Sequence, residues 1–153
     1  MPIALVEPIG RAIVIVHPAG AMPAAEWTAN IEKMRGLAEA RPEIRVIVWA
    51  DGVIDSPQRR EIIDLIKNRP TGATRKPVRV VMFTSNILTR GVMQALGWMG
   101  VNVGSYSQQN FLRDIAAEGY SAAEGIELQA GIAAMERRIK ASVAGVAVGA
   151  RRG

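Results

Sequence analysis

Val78-Arg79-Val80-Val81-Met82-Phe83-Thr84-Ser85-Asn86-Ile87-Leu88-Thr89-Arg90-Gly91-Val92 changes its period at the centre. Val78 to Phe83 is a short run rich in β-branched residues and reads as a strand. Thr84, Ser85 and Asn86 offer side-chain oxygens to the free amides of a helix start. Leu88, Val92, Leu96 and Met99 then recur at helical spacing as an inward stripe, and Gly100 fits the helix end. A strand that passes through a cap into a helix is half of a crossover between parallel strands.

The flanks repeat the theme. Ile3 to Val6 and Ala12 to Val16 read as two strands joined by a tight turn through Pro8, Gly10 and Arg11. From Pro23 the spacing of Trp27, Ile31, Met34 and Ala38 predicts a helix that ends before Pro42. Ile44 to Trp49 is a strand with little alternation, as burial on both faces requires. Ser56-Pro57 opens a helix to about Asn68, broken by Pro70, Thr71 and Gly72. Val101 to Tyr106 is a further strand. A short helix around Asn110 to Glu118 turns Phe111, Leu112 and Ile115 inward and stops at Gly119. Ser121-Ala122-Ala123-Glu124 has the form of a capping box, and Leu128, Ile132, Met135 and Ile139 line the last helix. The order is β-β-α-β-α-β-α-β-α-α, an α/β chain with a mixed sheet of about five strands and four to five helices. Residues 1–140 read as one domain. Ala141 to Gly153, rich in alanine, valine and glycine, reads as a flexible tail.

Composition narrows the function. Hydrophobic residues form 49% of the 153, enough for a packed core, and mean hydropathy is +0.13. No apolar run approaches the roughly 20 residues a membrane-spanning helix needs, and Met1 to Pro8 lacks the form of a signal peptide, so a cytoplasmic setting is expected. With no cysteine and a single histidine, His17, thiolate chemistry and multi-histidine metal centres are excluded. No cofactor and no metal are expected. The chain has no Gly-x-Ser-x-Gly elbow, P-loop or Gly-x-Gly-x-x-Gly fingerprint. His17, beside Pro18, reads as a turn residue without an orienting carboxylate. A non-enzymatic protein is the expectation.

On this topology Asp51, Asp55, Ser56, Thr84, Ser85 and Asn86 converge at the carboxyl ends of neighbouring strands, where open α/β sheets place ligands. Helix amino termini favour an anion there, but Asp51 and Asp55 oppose one, so a protein partner suits the site better. The helix after Asn86 is apolar on nearly every side, and Met93 and Trp98 mark a contact face for a partner protein or a second copy. The net charge of +5 and pI near 10.2 are concentrated in two places. The first runs from Arg59 to Arg79, with Arg59, Arg60, Lys67, Arg69, Arg75 and Lys76 as a basic patch. The second is Arg137, Arg138, Lys140, Arg151 and Arg152. Nucleic acid or an anionic membrane is a weaker partner reading, since base-stacking aromatics do not accompany these charges.

The element order, together with Val46-Ile47-Val48-Trp49-Ala50-Asp51-Gly52-Val53-Ile54-Asp55-Ser56, resembles the STAS family, named for sulfate transporters and anti-sigma factor antagonists. In that family a strand leads through a short hydrophobic stretch to an Asp-Ser that opens a helix, as Ile54-Asp55-Ser56 does here. Val80 to Asn86, Arg90-Gly91-Val92 and Phe111-Leu112 look like the STAS/SEC14-like branch. The resemblance spans roughly Met1 to Gly119 and implies a STAS-like sheet and a regulatory or scaffolding role through protein contacts. It also implies that the helix after Asn86 lies near partner-contacting surface. The family's antagonists switch by phosphorylation of a serine just after Asp-Ser, but Pro57 occupies that position and Gln58-Arg59 replace the family's glycine. Ser56 reads as a helix cap and remains a possible phosphoacceptor. The SEC14-like branch implies a second function, carriage of a small apolar or lipid-like ligand. Val146 to Arg152 is similar to the C-terminal peptides that dock cargo into encapsulin shells, which gives a third.

Overall fold

The computed structural model describes residues 4–17, 23–51, 57, 60, 61, 78–100 and 102–152, with side chains as far as 142. Strand β1 (Leu5–Ile9) turns back into β2 (Ala12–His17), with Ile9 opposite Ala12. Gly10 takes φ +55°, which a two-residue hairpin loop with glycine at its first position accommodates. The expected first strand, Ile3 to Val6, therefore lies further along the chain and includes Pro8. A proline without a donor is tolerated there because β1 is an edge strand.

Helix α1 (Ala24–Glu39) leads to β3 (Ile44–Ala50), and β4 (Val78–Phe83) is followed by α2 (Ile87–Trp98) and β5 (Val103–Tyr106). A 3-10 turn at Gln108–Asn110 precedes α3 (Phe111–Ala117) and α4 (Ala122–Arg152). The molecule is α/β with a five-stranded mixed sheet in the sequential order β1-β2-β3-β4-β5, in which β1 is antiparallel to β2 and the remaining pairs are parallel. Right-handed crossovers that always advance in one direction place their helices on one face, and α1 and α2 do share a face. Met34 and Leu37 of α1 and Met93 and Leu96 of α2 pack on Ile13, Val46, Val48, Val80 and Met82. On the opposite face α3 and α4 bury Phe111, Ile115, Leu128, Ile132, Met135 and Ile139 against Val14, Val16, Ile47, Val81 and Phe83.

Local signals set the later helices. Gly100 at φ +85° ends α2 and Gly119 at φ +91° ends α3. The capping box forms, with the Ser121 amide donating to Glu124 Oε1 at 3.0 Å and the Glu124 amide to Ser121 Oγ at 3.1 Å. Three expectations are corrected. His17 is the last residue of β2, opposite Ala50 and only 3% exposed, because the strand runs one residue further than the apolar run suggests. Leu112 is 44% exposed, since the single short helix α3 has room to bury Phe111 and Ile115 on its inward side but not a third face. The helical backbone of α4 continues to Arg152, where the sequence reading closes it at Lys140; the alanines of this stretch are the strongest helix formers and no proline interrupts them. The helix expected from Ser56 to Asn68 falls outside the described residues except for Pro57, Arg60 and Glu61, which are helical and exposed. Among the described residues no helix is long and apolar enough to cross a membrane.

Candidate functional site

Four of the expected site residues meet at the carboxyl edge of β3 and β4. Asp51 follows β3, and its amide donates to the carbonyl of His17 at 3.0 Å, so it extends the sheet. Its Oδ1 accepts from Ser85 Oγ at 2.6 Å and, at 3.4 Å, from the Ser85 amide. Thr84 is buried at 1% exposure, with its Oγ1 accepting from the Asn86 amide at 3.1 Å. Asn86 caps α2: its Oδ1 accepts from the amides of Leu88 and Thr89 at 3.0 and 3.2 Å. This rim uses its polar atoms on itself. The Leu88 and Thr89 amides, which could bind an anion, are taken up by Asn86, and the exposed Asp51 carboxylate stands beside them. The sequential strand order has no reversal, so the crevice that ligands use in doubly wound sheets does not arise here. Asp55 and Ser56 lie outside the described residues.

The second expected feature is helix α2, and its orientation departs from the sequence reading. Met93 is 7% exposed and belongs to the core, so it is not a contact residue. Leu88 and Met99, expected inward, are 81% and 69% exposed, together with Ile87 at 79% and Trp98 at 86%. Ile87, Gly91, Gln94 and Trp98 follow one another at i, i+4, i+7 and i+11, and all are exposed, so they form one face. Leu88 and Met99 flank it. Met93 and Leu96 pack on the sheet, which leaves Trp98 turned away from it. A Cβ at Gly97 would stand 3.8 Å from the Val103 carbonyl oxygen, an ordinary contact distance. Arg90 is the one charged residue of α2; it is part-buried, with Nε shielded from solvent.

Beside β5 stands a polar cluster that the sequence reading did not find. Arg79 binds the Glu118 carboxylate in two places, Nε to Oε2 at 2.6 Å and Nη2 to Oε1 at 2.8 Å. Tyr106 donates its hydroxyl to Glu118 Oε1 at 2.6 Å, and Arg79 Nη1 donates to Asn102 Oδ1 at 2.8 Å. The Arg79 guanidinium holds Glu118 below the usual carboxylate range, against the effect of burial. Tyr106 is pushed up to about 12, chiefly by its hydrogen bond to Glu118 and then by burial. Gly104 makes room for the pair, as a Cβ there would come within 2.8 Å of Arg79 Nη2. Counted in the sequence as part of a basic cluster, Arg79 is instead neutralised by residues tied to it only through the sheet. Arg138 is likewise paired, with Glu7. Of the basic patch, Arg60 is exposed, and Arg59, Lys67, Arg69, Arg75 and Lys76 fall outside the described residues.

A shallow depression of about 310 Å³ lies along α1, lined by Thr28, Ile31, Glu32, Arg35 and Glu61. Searches of family models, of curated proteins and of solved structures find no match to this chain.

Proposed function

We propose that this chain is a non-enzymatic regulatory or scaffolding domain that acts through protein contacts, with the outward face of α2 as its docking surface. One observation carries the reading: Ile87, Leu88, Trp98 and Met99 stand between 69% and 86% exposed on the twelve-residue helix α2 and its C-cap. Large exposed apolar side chains concentrated on one helix mark a contact site, and tryptophan is among the residues that dominate contact energies. The face is convex, which suits a macromolecule better than a small ligand, since small-ligand sites are concave. The resemblance to the STAS family, whose members contact partners near this helix, points the same way. Asp51 and Ser85 border the amino end of α2 and would supply polar contacts at the rim of the interface.

The experiment compares the proteins retained by the immobilised chain and by a Leu88→Glu, Trp98→Glu variant from an extract of its own host. Loss of specific proteins from the variant supports the reading, provided its melting temperature is unchanged. Identical sets retained by both proteins would discard it.

A further inference from the structure

We propose that the occupant of the α2 face is a second copy of this chain, docked helix to helix and antiparallel about a twofold axis. The inference rests on α2 being the docking surface and names its partner.

The arrangement of side chains along the helix is self-complementary. Large apolar residues stand at both ends, Ile87 and Leu88 at the first turn and Trp98 and Met99 at the last, with Gly91 and Gln94 between them. A Cβ at Gly91 would meet nothing within 4 Å, so the middle of the face is open. An isologous contact requires that residue i meet residue j while j meets i. An axis midway between Gly91 and Gln94 does this: it sets Ile87 of one copy against Trp98 of the other and Gly91 against Gln94. The bulky ends interlock and the small centre lets the helices approach. Set parallel, the same helices would stack Trp98 on Trp98 and leave the gap at Gly91 facing its own copy.

Charge argues for the same partner. The chain carries a net +5, so two copies repel over most of their surfaces. The α2 face has no ionisable side chain, and the sole charge of the helix, on Arg90, is part-buried beside it. A neutral face is matched by a neutral face, and an acidic peptide or a phosphate backbone would find no cation here. Area sets the strength. Trp98 contributes about 200 Å² and each aliphatic side chain roughly 100 Å², so two copies bury on the order of 1,000 Å². That is at the lower limit for a specific interface, and the dimer is expected to be reversible, with a dissociation constant in the micromolar range.

Sedimentation velocity over a concentration series from about 1 to about 500 micromolar tests this. The native chain is expected to pass from monomer to dimer, and Leu88→Glu, Trp98→Glu to weaken the association at least tenfold with an unchanged melting temperature. The chain has no cysteine, so Gln94→Cys introduces a single thiol per copy close to the axis. It is expected to form a disulfide dimer under mild oxidation, whereas Ile87→Cys, far from its own copy, is expected not to. A chain that stays monomeric throughout overturns the proposal, as does a dimer indifferent to the two glutamates or one linked by Ile87→Cys. Monomeric behaviour combined with host proteins lost from the glutamate variant would remove the second copy and leave the docking surface standing.

Discussion

Helix α4 places Leu128, Ile132, Met135 and Ile139 on one side among charged and small residues, and all four are buried. Helix α2 places apolar residues on nearly every side; Met93 alone is buried, and four large ones face outward. A helix with one apolar stripe has one way to dock, and its sequence states which. A helix with several can dock by more than one side; here Met93 and Leu96 meet the sheet, and what the helix does not bury remains available. The surplus apolar surface is the mark of the second kind.

The contrast can be broken most sharply by truncation. Leu128→Ala is expected to lower stability by about 3 kcal/mol in denaturant unfolding, and Trp98→Ala by less than about 0.5 kcal/mol at concentrations where the chain is monomeric. Comparable losses would mean that the α2 face is covered within one chain. Next in size is Glu118→Gln, which leaves the half-buried Arg79 guanidinium without its carboxylate and is expected to lose about 2 kcal/mol near neutral pH. Because the folded-state pKa of Glu118 is depressed, its contribution is complete above about pH 5 and is lost as pH falls through the folded value. Tyr106 runs the opposite way. Its raised value means that its contribution holds below about pH 10 and is lost as pH climbs toward about 12, which tyrosinate absorbance can follow. Removing either cap, by Asn86→Ala on α2 or Ser121→Ala on α4, is expected to cost about 1 kcal/mol, and near-equality of the two would show that the helices differ in docking and not in termination. The smallest effect belongs to Ser85→Ala, on an exposed hydrogen bond to Asp51, at less than about 0.5 kcal/mol by thermal melting.

Where one residue type has one physical use, the sequence could be read. Gly100 and Gly119 end helices because their backbones are left-handed, and Ser121 with Glu124 closes a capping box, although the ion pair that Glu124 also makes with Arg11 was not legible. Thr84, Ser85 and Asn86 were legible as caps, and as neighbours of Asp51 once β3 and β4 were placed side by side. Met93 was not legible as core, because its helix has no polar face to fix the rotation. The Arg79, Tyr106 and Glu118 cluster was not legible either. Its members are brought together by strand register and by Gly104, and nothing within the chain near Arg79 indicates a carboxylate at position 118.

The sequential order of the strands has a consequence for the order of events during synthesis. Each strand meets its successor, so the sheet can assemble from the amino end as the chain emerges, with few long loops to close. Helix α4 breaks that rule by returning to the first hairpin, where Arg138 pairs with Glu7 and Gly131 leaves space for Ile9. Until it arrives, Val14 and Val16 of β2 have no cover on that face. At roughly 5–20 residues per second the ribosome leaves that surface bare for on the order of ten seconds. Nascent chains therefore expose a bare sheet face between the emergence of β2 and that of α4, and that interval is when they most need protection from aggregation.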